Sequence, residues 1–404
     1  MESMSTKTLF DEQRMTWPES LELTAQSLTA WGSTHRHWAI AWSGGKDSTA
    51  LLTIVLYLLE AGIVAAPERL TICYADTRME LPPLALAAQS IIAQLKSRGI
   101  EVRIAVAEMD KRYFVYMLGR GIPPPNNNTF RWCTRQIKVD PMADELRRLV
   151  GESQGGRILM LTGVRIGESA SRDARIAMRC GKNGAECGQG WYQEMTGDGF
   201  STLAPILHMR VCQVWDWLKA MAPLKRYGGW RTAILADAYG GEEAEEINAR
   251  TGCVGCPLAN VDTALDAVLR VPEWLHIEPL KELRPIYREL REPRNRLRMP
   301  AGESRKDGTL SPNQCRMGPL TMEARRWALD AILMIQWRCN EAALRFGREP
   351  IDILNNEEVR RIRELHANNT WPNKWTGTEP RADEPFKDPS IDQSPMLFDE
   401  ESFA

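Results

Sequence analysis

Three groups of residues in this chain have the types and spacing for chemistry. The first is Ser43-Gly44-Gly45-Lys46-Asp47-Ser48. Its two glycines permit backbone conformations closed to other residues, so that successive N–H groups can turn inward. Lys46 and the hydroxyls of Ser43 and Ser48 supply further donors. Between a strand and the N-terminus of a helix, such a turn is a phosphate cradle. It is neither the GxxxxGK(S/T) of a P-loop nor the GxGxxG of a dinucleotide site. The second group is thiols. Gly252-Cys253-Val254-Gly255-Cys256-Pro257 puts CxxC on a glycine turn, a spacing that brings two thiolates to one metal or cluster. Cys180 and Cys187, in a Gly/Asn/Lys-rich stretch, form a second pair, and two pairs make a four-thiolate site. Zinc and iron–sulfur both satisfy that arithmetic. The third group lies at expected strand ends. Asp76, followed by Thr77, can orient a ribose or a metal-bound water, or simply close an Asx turn. Arg165 offers a fork of donors to phosphate oxygens, or a surface pair to Glu168.

Other reactive residues read as structural. Cys73, Cys212, Cys315 and Cys339 lie among apolar neighbours and are expected to be small core residues. The five histidines, His35, His37 and His208 among them, have no ligand spacing. Arg284, Arg288, Arg291, Arg294, Arg296 and Arg298, with Lys281, form the densest basic run. Glu282, Glu289 and Glu292 intervene, so the default is a salt-bridged, solvated helix, and phosphate-backbone contact is the sharper alternative.

The elements that must carry these groups follow from local pattern. His37–Trp42 is an apolar run of strand length, and the apolar segment after Ser48 is long enough for a buried helix. Residues 69–75 form a second strand, 81–98 a helix opened by Pro82-Pro83, and 101–107 a third strand. Residues 119–128 read as a loop, 142–149 as a helix and 157–162 as a further strand ending at Gly163-Val164-Arg165. Strand–helix alternation means an α/β fold, a parallel twisted sheet wound with helices, whose ligands sit beyond the carboxyl ends of the strands. Residues 166–199 are expected to be an ordered loop, 210–221 an amphipathic helix and 252–257 a tight turn. The chain divides into an N-terminal extension (1–35), a nucleotide-binding and metal-binding region (36–260), a mostly helical region (261–366) and a disordered tail (367–404).

Composition narrows the class. With 404 residues, 43% hydrophobic and 26% charged, the chain has the profile of a globular protein. A net charge of −2 excludes bulk basicity as the means of holding nucleic acid, so any polyanion needs a local patch. The polar N-terminus is not a signal peptide, and the longest apolar run, 50–66, is broken by Glu60 and Gly62. A cytoplasmic protein without membrane contact is expected, in which the nine cysteines stay thiols or bind metal.

Taken in order, these stations carry a family resemblance. SGGKDS resembles the PP-loop of the ATP-pyrophosphatase superfamily. Joined to Ala75-Asp76-Thr77, Glu80-Leu81-Pro82, Trp132-Cys133-Thr134 with Lys138 and Pro141, Gly163-Val164-Arg165, Pro205-Ile206 and Val214-Trp215-Asp216-Trp217-Leu218, it resembles the phosphoadenosine-phosphosulfate reductase branch over about residues 36–260. Gly318-Pro319-Leu320-Thr321-Met322-Glu323-Ala324-Arg325 resembles the sulfur-modification subunits of DNA phosphorothioation systems, of the Dnd and Ssp kinds. The resemblance implies an adenine-nucleotide α-hydrolase-like fold, ATP with Mg2+, and adenylation of a DNA backbone phosphate before sulfur insertion. It implies Ser43, Gly44, Gly45, Lys46, Asp47, Ser48, Asp76, Thr77 and Arg165 at the nucleotide, with Lys46 and Asp47 catalytic. It favours a 4Fe-4S cluster, placed on Cys180, Cys187, Cys253 and Cys256, with Cys133 as sulfur carrier near the nucleotide or as substitute ligand. DNA, a cysteine desulfurase and other phosphorothioation subunits are the implied partners. The rival readings are a phosphoadenosine or adenosine phosphosulfate reductase, a tRNA thiolase, and a non-catalytic nucleotide-binding redox regulator.

Overall fold

Six residues, His37–Trp42, form strand β1, because an apolar run this short ending in Ser43-Gly44 has no room for a helix. The computed structural model describes residues 15–126, 130–153, 156–167, 191–194, 199–241, 252–299 and 316–385. Before β1 comes helix α1 (Trp17–Gly32), closed by a capping box in which Thr16 accepts from Glu19 N. After it come α2 (Lys46–Glu60), β2 (Arg69–Asp76), α3 (Pro82–Ser97), β3 (Glu101–Val106), α4 (Asp140–Glu152) and β4 (Ile158–Thr162). Two more strands follow, β5 (Trp191–Glu194), inside the stretch 166–199 expected to be a loop, and β6 (Phe200–Ala204), just after it, and then α5 (Val211–Asp216) and α6 (Thr263–Val268). The residues between β4 and β5 are polar and the two strands are short, so periodicity had little to report.

The sheet runs β3-β2-β1-β4-β6-β5, with every pairing parallel except β5 against β6. The chain leaves β1 toward β2 and β3, and leaves β4 in the opposite direction. The carboxyl ends of β1 and β4 therefore flank the switch point, where such sheets bind ligands. Helix α2 packs on this centre and is apolar nearly all round. Leu51, Leu52, Ile54, Val55 and Leu58 are at most 1% exposed, each adding roughly 1.5–3 kcal/mol of burial. Two buried indoles pin its polar threonines: Trp42 Nε1 donates to Thr49 at 2.8 Å, and Trp217 Nε1 to Thr53 at 2.8 Å.

Contacts divide the chain into two units. One comprises Met1–Val106, Lys138–Gly252 and Thr263–Val271, and the other Ala107–Ile137, Cys253–Asp262 and Pro272–Ala404. The sequence suggests boundaries near 35, 260 and 366. It had no signal for the excursion after β3, where Val115–Gly119 forms a wide helical turn and Leu118 O bonds His366 Nε2 at 3.0 Å. The second unit holds α7 (Leu283–Glu289), the small antiparallel pair β7 (Arg296–Arg298) and β8 (Met317–Leu320), α8 (Met322–Arg345) and α9 (Asn356–Ala367). Leu329, Ile332, Ile335 and Cys339 form the buried stripe of α8. Residues 368–385, expected to lack structure, are ordered instead. Arg298 N donates to Pro380 O at 2.9 Å, Ala382 N donates to Arg296 O at 2.8 Å, and Trp375 lies on Gly318. The segment is poor in apolar residues, but its two tryptophans supply the area that periodicity did not count. Among the described residues no helix is long and apolar enough to cross a membrane.

An ion-pair network ties the edge of the sheet to α4. Glu101 accepts from Arg69 (3.0 Å), Arg103 (2.7 Å) and Thr71 (2.9 Å), and both arginines also reach Glu152. The hydrogen bonds from Arg69 first, then those from Arg103 and Thr71, hold the Glu101 carboxyl at about 2 against the opposing effect of burial. Its folded-state value is depressed, so its stabilisation is complete above the ordinary carboxylate range and is lost as pH falls toward 2. Glu101→Gln is expected to lower the melting temperature at pH 7, with the gap to wild type closing between pH 5 and pH 2 in thermal melts across that range.

Candidate functional site

The turn after β1 begins with Ser43, whose N–H and hydroxyl meet the Ser48 hydroxyl at 3.3 and 3.2 Å. Ser48 in turn donates to Gly45 O at 3.1 Å, which staples the loop across its mouth. Gly44 has φ +73, in the left-handed region that favours glycine. Gly45 does not share this role: it sits in an extended conformation, φ −77 and ψ 165, open to any residue. It is the N-cap of α2 and, as glycine, has no side chain of its own to cap the helix. The first turn of α2 thus keeps N–H groups and dipole for an anion. Lys46 N donates to the Tyr239 hydroxyl at 3.2 Å, and the Lys46 ammonium lies 5.2 Å from the centre of the Tyr239 ring.

Next to the turn is a part-buried charge triad. Asp47 accepts from Arg165 Nε at 2.6 Å through one oxygen and meets Lys46 Nζ at 3.0 Å through the other. Arg165 is 4% exposed and also donates to Met209 O at 3.1 Å. Burial pushes the Asp47 carboxyl up, but the charges of Arg165 and Lys46 outweigh it and hold the group below its usual range. Glu168, the surface partner considered for Arg165, lies outside the described residues. The triad is possible because Gly163, at the exit of β4, touches the first turn of α2. A Cβ there would stand 2.8 Å from Ser48 Cα and 2.9 Å from Asp47 C.

The end of β2 is level with the glycine turn, since Trp42 pairs with Tyr74 two residues before Asp76. Asp76 Oδ1 accepts from Arg78 N at 2.9 Å, an Asx turn, with Arg78 at φ 59. Thr77 donates to Glu80 through its N–H at 3.0 Å and its hydroxyl at 2.6 Å. Burial pushes the Glu80 carboxyl up, its largest influence, while the Thr77 bonds oppose it. Sequence reasoning missed Tyr239 as a neighbour of Lys46. No local signal marks it, but the Val214–Leu218 station prepares it, because Trp215 meets the Tyr239 ring edge-on at 4.9 Å.

The described thiols of the second group lie together in the second unit. Cys256 N donates to Cys253 O at 3.2 Å, closing a tight turn with Gly255 at φ 58. Cys133 follows Trp132, whose ring stacks on Tyr113 at 5.3 Å. Burial pushes the Cys133 thiol up, and the charge of Cys256 adds to the effect. Burial likewise raises the phenols of Tyr113 and Tyr287, and the charges of Cys253 and Cys256 raise both further. Cys133, expected beside the nucleotide, thus shares a neighbourhood with the CxxC turn. Cys180 and Cys187 lie outside the described residues. Among the described residues no three His, Cys, Asp or Glu side chains converge as a ready-made metal site. What the turn offers is half of a tetrathiolate set, and thiolate is the donor that zinc and iron–sulfur groups take.

Other expectations resolve by burial. Cys73 and Cys339 are core residues whose thiols burial pushes up to about 12, whereas Cys212, expected in the core, is exposed near the start of α5. Val214 and Trp215 are buried, whereas Cys212 and its neighbour Val211 lie on the exposed side of the helix. Cys315 lies outside the described residues. His37 bridges Thr71 (2.9 Å) and Ser153 (3.1 Å), and His208 bonds Ser20 O at 3.0 Å, both structural roles. The basic run is not a solvated helix face. Of its members, Arg294 pairs with Glu289, but Arg284, Arg291, Arg296 and Arg298 donate to main-chain carbonyls. Helix α7 ends at Glu289, so Arg291 and the residues after it leave the helical periodicity that the sequence suggested.

Residues 37–223 match the family profile of the phosphoadenosine phosphosulfate reductase domain. No match is found among curated proteins. Among solved structures, FMN adenylyltransferase of Candida glabrata, in complex with FMN and the ATP analogue AMPCPP, is 14% identical with a TM-score of 0.31, over 49% of this chain and 55% of that one. The chain therefore spans about half the length of that enzyme. U34-tRNA thiolase NcsA from Methanococcus maripaludis, with its 4Fe-4S cluster, is 13% identical with a TM-score of 0.33, over 68% of this chain and 78% of that one. Superpositions this loose carry no argument about the site, which rests on the sheet order and the contacts above.

Gly163→Ala tests the close approach of β4 to α2. The obstructing atoms are backbone, which cannot swing aside, so a loss of about 1–3 kcal/mol is expected. Chemical denaturation of wild type and variant measures it.

Proposed function

We propose that this protein is an ATP pyrophosphatase that adenylates a DNA backbone phosphate and so prepares it to exchange a non-bridging oxygen for sulfur. The observation that carries the reading is the glycine-capped N-terminus of α2, with Lys46 and the Arg165–Asp47 pair beside it, at the switch point of the sheet. The resemblance of residues 318–325 to sulfur-modification subunits selects DNA as acceptor.

In this reading the N–H groups of the glycine turn and the Lys46 ammonium hold the β- and γ-phosphates of ATP. A phosphodiester oxygen attacks the α-phosphorus, and the bond to pyrophosphate breaks. The charge growing on pyrophosphate meets donors that are already in place and need no reorganisation. Asp47 keeps Lys46 and Arg165 aimed, since one carboxylate oxygen serves each cation. The second oxygen of Asp76 is the acceptor for a ribose hydroxyl or for water on Mg2+, an ion that would supply neutralising charge on the phosphates. AMP, now esterified to the DNA phosphate, is the leaving group when sulfide, freed from the persulfide of a cysteine desulfurase by a two-electron thiol reductant, attacks that phosphorus. Cys253 and Cys256 would hold a 4Fe-4S cluster together with Cys180 and Cys187, or with Cys133 in place of one of them; such a cluster supplies a thiophilic metal for the incoming sulfur. Other phosphorothioation subunits would present the DNA.

Pyrophosphate release from ATP by the purified protein, with DNA, RNA or phosphoadenosine phosphosulfate present, separates the readings. DNA-stimulated release that falls about 10²-fold or more in Lys46→Ala and Asp47→Ala is expected. Undiminished release by both variants rejects the site, RNA stimulation favours a tRNA thiolase, and sulfite production favours a reductase. Tight redox-dependent DNA binding without turnover favours a regulator. Iron content after anaerobic purification tests the cluster: Cys253→Ser and Cys256→Ser should each lose most of the iron, and the remaining ligands are those among Cys133, Cys180 and Cys187 whose serine variants do the same.

A further inference from the structure

We infer that Arg291 is the positioning residue that sets the spacing between Cys133 and the Cys253–Cys256 turn. The inference rests on the reading of these thiols as one centre. Arg291 lies two residues beyond α7, and its Nη2 donates in two directions. One bond goes to Pro257 O at 3.4 Å, on the residue that follows Cys256. The other goes to Pro125 O, in the loop that precedes the Cys133 segment. That loop is tied onward, because Trp132 Nε1 donates to Pro123 O at 3.1 Å and Trp132 adjoins Cys133. A continuous path therefore runs Cys256, Pro257, Arg291, Pro125, Pro123, Trp132, Cys133.

The acceptors suit the purpose. Pro123, Pro124, Pro125 and Pro257 have φ fixed by their rings and no N–H to bond elsewhere, so their carbonyls are stiff fiducials. A single guanidinium holding two of them converts two separate segments into one frame. Arg291 forms no ion pair with a carboxylate among the described residues, and its Nε is buried without a hydrogen-bond partner there. Arg284 provides the contrast. It grips the same turn further on, through Ala259 O (2.5 Å) and Asn260 O (2.8 Å), and its bonds there do not reach the loop at 119–126. These two bonds leave the turn's own closure alone, since the Cys256 N to Cys253 O bond is internal to it.

The test uses full-length apo-protein, reduced and anaerobic, as wild type, Arg291→Gln, Arg291→Lys and Arg284→Gln. Dibromobimane bridging, mapped by mass spectrometry in a Cys253→Ser background, reads the Cys133–Cys256 spacing. Cobalt(II) titration of the proteins with Cys253 intact reads the number of thiolates from the sulfur-to-metal absorption. Arg291→Gln should cut the Cys133–Cys256 bridge severalfold and weaken cobalt binding about 10–100-fold, the usual cost of losing an outer-shell support. Cys253–Cys256 bridging, read with Cys253 intact, and the melting temperature should stay near wild type. Arg291→Lys should remain low in the bridge, since the flexible lysine stem does not fix one nitrogen between the two carbonyls as the planar guanidinium does. Arg284→Gln should bridge as wild type does. Wild-type bridging in Arg291→Gln, full rescue by lysine, or an equal loss in Arg284→Gln would overturn the inference, as would a wild type that forms no Cys133–Cys256 bridge. A wild type that bridges but takes up no cobalt removes the metal reading alone, and the bridge then decides the role of Arg291.

Discussion

The close contact of the β4 exit with the first turn of α2 is the constraint on which the rest of the first unit depends. Gly163 lets two backbones meet where any side chain would separate them. That approach brings the buried Arg165 onto the part-buried Asp47, 118 residues away in sequence. A buried ion pair costs desolvation and repays it only with good geometry and further hydrogen bonds. Both are present: Asp47 has a cation for each oxygen, and Arg165 has a carbonyl besides. The pair makes the glycine turn rigid from one side while Tyr239 supports it from the other.

Rigidity there has a chemical meaning. An anion cradle made of backbone N–H groups works only if the donors stand in place before charge develops. The Ser43–Ser48 staple, the left-handed Gly44 and the Tyr239 hydroxyl each remove a freedom that the turn would otherwise have. Gly45 stands apart, since its conformation is ordinary. What glycine contributes there is the missing side chain beside the Ser43 and Tyr239 oxygens, where an added Cβ would lie 3.6 Å from each.

The second unit uses arginine differently. Arg284, Arg291, Arg296, Arg298 and Arg325 turn inward and donate to carbonyls of turns, loops and strands. The fork of the guanidinium can satisfy several carbonyls at once, which a lysine cannot do with the same geometry. Segments with little regular structure, such as 119–126 and 368–385, are thereby given fixed positions without a large apolar core of their own. The thiol-bearing turn sits among these braces, next to two buried phenols.

The sequence by itself determined the local pieces. The β1–turn–α2 unit follows from an apolar run, two glycines and an uninterrupted apolar helix within about two dozen residues, and the alternation that follows dictates a parallel sheet. CxxC on a glycine turn is equally local. Tertiary structure decided what those pieces meet. Arg165 was legible as a strand-end cation, but its partner Asp47 was not. Tyr239, 193 residues from Lys46, carries no mark of its role. The company of Cys133, the carbonyl partners of the arginines and the exposure of Cys212 were hidden for the same reason. A residue's type and its neighbours in the chain set its conformational preferences, whereas its partner is chosen by how distant segments close-pack, and that choice leaves no periodic trace in the sequence.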